Sequence, residues 1–166
     1  MNITELENYF ETLATNNIAI SHSPSNKRFA TLTMHEVLNG MKTGLKDIFL
    51  YLELPEIRPA DLLSDNTRKI YDSAVIITKP VKSGDVEQEK EVMRDLEEIV
   101  DQIISKLKND RHKYILNHLD INTIRVVPVG PVFDNRHGWR INFQLNEPQS
   151  YFLDETKWIN ETKFTI

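Results

Sequence analysis

Between Asp134 and Arg140, inside the stretch FDNRHGWRINFQL (Phe133–Leu145), fall an aspartate, two arginines, a histidine and a tryptophan. These residue types can do acid–base work, because a carboxylate that orients an imidazole is the inner pair of a hydrolytic triad and an arginine fork holds carboxylates or phosphates. A triad also needs a nucleophile and an oxyanion-stabilising loop, and neither signature is evident nearby. The spacing fits a hairpin instead. Asp134 and Asn135 suit turn positions, Gly138 is expected to supply a positive φ, and Trp139 is expected to open the core face of the return strand.

The remaining chemistry-bearing residues are scattered. His112 and His118 are followed by Asp120, but they lack the i, i+4 spacing and the accompanying glutamate of a zinc hydrolase, so no metal site is expected. His22 and His35 have no partner that spacing identifies. The five glycines (Gly40, Gly44, Gly84, Gly130, Gly138) form no GxxxxGK[ST], GxGxxG or GxSxG pattern, and no cofactor is expected. The absence of cysteine excludes disulfides, thiolate chemistry and zinc held by sulfur. Lys27 and Arg28, beside a Ser-Pro-Ser, read as a solvated loop; a contact with DNA phosphates is the functional alternative, although two cations alone give little affinity. The Asn160-Glu161-Thr162 triplet matches a glycosylation acceptor by chance, because no secretory signal is evident.

The elements that position these residues are legible from periodicity. Ile3, Leu6, Tyr9, Phe10 and Leu13 recur at helical spacing, which predicts a helix over 3–16 capped by Asn2 or Thr4. A loop over 21–28 leads to a short strand, Phe29–Met34. The following segment, His35–Lys46, is ambiguous, since Gly40 and Gly44 weaken the helix that its apolar residues favour. Asp47–Pro55 alternates as a strand with both faces partly apolar, Glu56–Arg68 reads as a loop carrying one helical turn, and Lys69–Lys79 reads as a buried strand around Ala74–Ile77.

From Asp85 to Lys108, nine apolar residues (Val86, Val92, Met93, Leu96, Ile99, Val100, Ile103, Ile104, Leu107) mark one face of a long helix, on the order of 36 Å at about 1.5 Å per residue. Asp85 and Gln88 have capping-box spacing, and Lys106, Lys108 and Arg111 gather at the end as the macrodipole prefers. A polar connection then leads to two strands, Thr123–Phe133, where Pro128 and Pro131 suggest an edge or bulge, and Trp139–Leu145, which alternates cleanly. This order predicts an α+β fold: a largely antiparallel sheet of about four to five strands packed by one long amphipathic helix and a shorter N-terminal helix. The domain is expected to span 1–146, with a C-terminal arm over 147–166 whose Tyr151, Phe152 and Trp158 need a surface to cover.

At 166 residues the chain suits one domain, and its 40% hydrophobic content is enough to build a core. No apolar run approaches the roughly 18 residues of a membrane span, so soluble cytosolic synthesis is expected. The net charge of −5 is unevenly spread. Residues 85–108 carry eight acids against four bases, whereas residues 21–46 carry four bases against one acid. The composition excludes a dedicated nucleic-acid-binding domain.

In its order of elements, and in the late hairpin ending GWRINFQL, the chain resembles the tail-terminator and neck (head-to-tail connector) proteins of tailed bacteriophages over residues 1–146. The resemblance implies a non-enzymatic virion protein, assembled in the host cytoplasm. It would form a homo-oligomeric ring between portal, neck and tail partners around a DNA channel. Within such a ring the charge segregation offers a physical route to an interface, in which acids of the long helix (Glu97, Glu98, Asp101) meet cations of a neighbour (Arg125, Arg136, Arg140, or Lys42 and Lys46) and Tyr151, Phe152 and Trp158 contribute, with Lys27 and Arg28 as DNA-channel or loop cations. A monomeric adaptor and a small hydrolytic enzyme using His137 are the competing expectations.

Overall fold

The computed structural model describes residues 1–33, 47–60, 67–132, 135–151 and 154–158. The elements run α1 (Ile3–Asn16), β1 (Phe29–Leu32), β2 (Phe49–Glu53), β3 (Glu56–Ala60), β4 (Arg68–Pro80), α2 (Val86–His112), β5 (Leu119–Val132) and β6 (Arg136–Pro148), followed by a short 3-10 turn, Glu155–Lys157. The fold is α+β, as the periodicity predicts. The expectation over His35–Lys46 lies outside the described residues, as do Asp134 and the triplet at 160–162.

Each helix begins where a polar side chain supplies the missing acceptor. Asn2 Oδ1 accepts from the Glu5 amide at 2.9 Å, and Glu5 returns a bond to the Asn2 amide at 2.8 Å, a complete capping box. At α2, Asp85 accepts from the Gln88 amide at 3.0 Å, while the Gln88 side chain reaches past the cap to the Lys82 amide at 2.7 Å. The 27 residues of α2 make it about 40 Å long. Its far end is closed by the main chain: the Asp110 carbonyl accepts from the Ile115 and Leu116 amides at 2.9 and 3.2 Å.

Five strands lie in the order β1-β2-β4-β6-β5, and β3 pairs the same edge of β4 as β2. Among the described residues only the β1–β2 pairing is parallel. The axis of the sheet is the β4–β6 ladder, continuous from Arg68↔Pro148 to Pro80↔Arg136. β5 is an edge strand whose ladder slips between Asp120 and Arg125 and again between Val129 and Val132; Pro131, which has no N–H to donate, lies in the second slip, while Pro128 stays in register with Trp139.

Two sequence expectations are corrected. Glu56–Ala60 is a strand rather than a loop with a helical turn. It continues β2 along β4 after a bulge, since Leu52 pairs Val75 and Glu56 pairs Asp72, which leaves one extra residue on the outer strand. An edge position tolerates Pro59, and exposure removes the apolar alternation that would have marked the segment. The hairpin loop is also shorter than expected: β6 starts at Arg136, and the positive φ belongs to Asn135 (59°) and Gly130 (145°), not to Gly138. Gly138 pairs Thr78 inside the ladder, where a Cβ would sit 1.9 Å from the Ile77 carbonyl oxygen. Close backbone approach, not turn geometry, requires that glycine.

Strand alternation sorts the side chains onto two faces. One face presents Leu50, Leu52, Val75, Ile77, Ile141, Phe143 and Leu145 to Leu6, Phe10 and Leu13 of α1 and to Val92, Leu96, Ile99, Val100, Ile103 and Leu107 of α2. Each of these fully buried side chains stabilises the fold by about 1.5–3 kcal/mol relative to exposure. The Trp139 indole fixes the helix position by donating to the Met93 carbonyl at 2.9 Å. The other face carries a smaller cluster, Leu32, Phe49, Tyr51 and Ile76, with no residue from either helix.

Candidate interaction surface

The face turned away from the helices divides into an apolar end and a polar end. At the apolar end Phe49 and Tyr51 stack at 4.5 Å. Beside them lies Arg136, 2% exposed, whose Nε donates to Thr78 Oγ1 at 2.9 Å and whose terminal nitrogen donates to the Thr78 carbonyl at 2.9 Å and to the Asp47 carbonyl. Burial lowers the guanidinium pKa and raises that of the Tyr51 hydroxyl. Arg136 is therefore a buried tie between the start of β2 and the end of β4, and its expected place among surface cations of an interface is corrected. The cause is that β6 begins three residues before Trp139, which turns Arg136 into the sheet.

At the polar end, side chains of β2, β3, β4 and β6 form two hydrogen-bonded groups. Glu53, only 4% exposed, is held bidentately by Arg140, with Nε to Oε1 at 3.0 Å and Nη2 to Oε2 at 2.6 Å. The hydrogen bond to Glu53 raises the Arg140 pKa against its partial burial. Arg140 also donates to Asn142 Oδ1, and Asn142 donates to the Arg125 carbonyl at 3.1 Å. Asp72 accepts from Gln144 and, at 3.0 Å, from Arg58 Nε.

Above these groups lies an open groove of about 800 Å³. Leu54, Pro55 and Glu56, at the bulge, form one wall, and Asn122, Thr123, Arg125 and Val127 of β5 form the other. Leu54 and Val127 are large apolar side chains left 38% and 40% exposed. Arg125 is exposed, and among the described residues its guanidinium has no ion-pair partner. The carboxylates of the floor are already occupied by arginines, so the groove offers a partner the cation Arg125, the wall carboxylate Glu56, which has no ion pair among the described residues, and an apolar rim.

The residues singled out from sequence are dispersed. Glu97, Glu98 and Asp101 are exposed on α2, on the opposite side of the sheet from the groove. Of the three hairpin cations, only Arg125 is free: Arg136 is buried and Arg140 is committed to Glu53. Lys27 is exposed, while Arg28 pairs with Asp47 at 2.9 Å. Tyr151 and Trp158 are 50% and 60% exposed. Phe152, Lys42 and Lys46 lie outside the described residues. His137 is buried on the helix side, its Nδ1 3.3 Å from Glu89 of α2 and so close under Gly130 that a Cβ there would stand 2.5 Å from the ring nitrogen. Among the described residues no cluster of histidine and acidic side chains is arranged to hold a metal.

Sequence reading missed Glu53, Asp72 and Arg58. The signal for Glu53 was available: it is the only charged residue in Phe49–Glu53, on the face of Phe49 and Tyr51, where burial demands a counter-ion. Arg140, Asn142 and Gln144, by contrast, stand on the polar face that the alternation of β6 assigns them.

Comparison with protein-family models, with curated proteins and with solved structures finds no match for this chain.

Proposed function

We propose that this chain is a non-enzymatic assembly subunit that forms a ring through head-to-tail contacts between copies, in the neck or at the head–tail junction of a tailed phage virion. The observation that supports this reading is the two-layer build: helices cover one face of the sheet, and the other carries an open groove with exposed apolar walls. The exposed aromatic residues of the arm and the acids of α2 lie away from that groove. A surface on one side of a molecule that complements a surface on the other side generates a heterologous contact, and such contacts close into rings when the rotation permits. The resemblance in element order to tail-terminator and neck proteins supplies the location. Within that role Lys27 is the loop cation available to DNA in the channel, because Arg28 is engaged by Asp47.

The test is the mass of the purified chain by light scattering over a wide concentration series, with negative-stain images of the largest species. A single closed species of defined stoichiometry is expected. A chain that stays monomeric throughout, alone and with portal and tail proteins added, overturns the reading and leaves the adaptor role.

A further inference from the structure

The proposed ring leaves open what fills the groove, and two features of the chain compete for it: the acidic ridge of α2 and the C-terminal arm. The ridge fits poorly. Glu97, Glu98 and Asp101 would enter a groove whose one free cation is Arg125, and desolvating several carboxylates against one guanidinium is unfavourable. The arm fits better. Tyr151 and Trp158 are half or more exposed on their own domain, and aromatic side chains are the usual anchors of protein interfaces. An arginine left free between Val127 and the groove floor suits an aromatic face, which a guanidinium stacks upon.

The described residues of the arm do not occupy their own groove. After Pro148 the chain is held by Thr67, whose carbonyl accepts from the Gln149 amide at 3.1 Å and whose hydroxyl donates to the Gln149 carbonyl. Tyr151 then lies within electrostatic reach of Lys69. The Lys69 ammonium sits 4.9 Å over the ring of Tyr71, which belongs to the core shared with the helices. The arm thus departs on the helix side, while the groove opens on the other.

We infer that the groove receives the C-terminal arm of a second copy of this chain, with aromatic residues of the arm seated between Leu54 and Val127 and against Arg125. This rests on the assembly reading above and names its junction. Residues 149–158 span at most roughly 33 Å when extended, which allows the arm to pass from the helix side of one copy to the sheet face of the next.

The experiment uses two full-length variants. In the first, Arg125→Glu with Val127→Asp blocks the groove at exposed positions that the core does not use. In the second, Tyr151→Ala with Trp158→Ala strips the arm. Each variant alone is expected to remain monomeric where the wild type assembles, and an equimolar mixture is expected to give a heterodimer and nothing larger, because one intact junction remains. An arm-stripped variant that assembles like the wild type overturns the inference while leaving the ring reading in place. If the wild type itself does not assemble, a labelled peptide of residues 149–166 is titrated into the arm-stripped variant. Saturable binding weakened at least about tenfold by Arg125→Glu supports the junction without the ring, and absence of binding overturns it.

Discussion

Arg140→Met isolates the Glu53–Arg140 pair. It keeps the aliphatic stem that lies along the sheet and removes both bonds to a carboxylate that is only 4% exposed. Stripping one partner from a buried ion pair costs about 3–5 kcal/mol, because the remaining charge has neither water nor a counter-ion. Here Arg140 itself is 28% exposed at the open groove, so water can reach the orphaned carboxylate through the space the guanidinium vacates. That lowers the expectation to about 2–3 kcal/mol, or roughly 4–12 °C in Tm for a chain of this size. Glu53→Leu alone should also destabilise, by burying the arginine without its acceptor. The double variant should be less destabilised than the sum of the two, because neither charge is left alone. Urea denaturation of the four proteins gives the coupling energy directly. A cost below about 0.5 kcal/mol for Arg140→Met, or strict additivity in the double variant, would refute the claim that this pair holds the polar face together.

Two further perturbations separate structural causes. Gly138→Ala and Gly138→Asn should both cost about 3 kcal/mol or more, read by urea denaturation, because any Cβ meets the Ile77 carbonyl; an Asn variant as stable as wild type would restore the turn explanation. At the end of α2, the 1% exposed Asp110 is raised by burial but pulled below its ordinary value of 3.8 by hydrogen bonds from Lys106 (2.7 Å) and Tyr9 (2.8 Å), so its contribution is complete above that pH and lost as pH falls through the lowered folded value. The stability gap between wild type and Asp110→Asn, followed by denaturation at successive pH values, should therefore be widest near neutrality and shrink below pH 3.8. A gap that widens on acidification would reverse the assignment. The same contact, with burial as the larger cause, raises the Tyr9 hydroxyl far above its ordinary range.

What was legible in the sequence follows the strength of the apolar pattern. Both helices carry stripes long enough to define a face, and both begin at side chains that cap them, so their limits could be read closely. β4 and β6 were found because Ala74–Ile77 and Trp139–Leu145 are apolar or alternate strictly. β3 was not, because an exposed edge strand containing Pro59 has no buried face to leave a period-two trace. The groove was half legible: the alternation of β6 placed Arg140, Asn142 and Gln144 on one face, but the bulge after Glu53 that forms the facing wall arises from register against β4, which no local pattern encodes. Arg136 and Gly138 were misread for a common reason. Polar and turn-forming residues at the start of β6 mimic a loop, and only pairing with Pro80 and Thr78 shows that the strand has already begun.

The β4–β6 ladder has a consequence for the order in which the chain can form. β4 is complete by Pro80, but the strand that covers its inner edge begins at Arg136, so α2 and β5 must both be made first. During synthesis β2 and β3 can occupy one edge of β4 as soon as they emerge. The other edge, beside the apolar run Ala74–Ile77, waits for the last strand of the sheet. A chain stopped before β6 would present that edge to any passing strand, which is the template for aggregation. Continuous access of nascent chains to chaperones is therefore of most value over the interval from Val81 to Asn135, and the gain from slowing translation there is small, since the missing partner is encoded downstream.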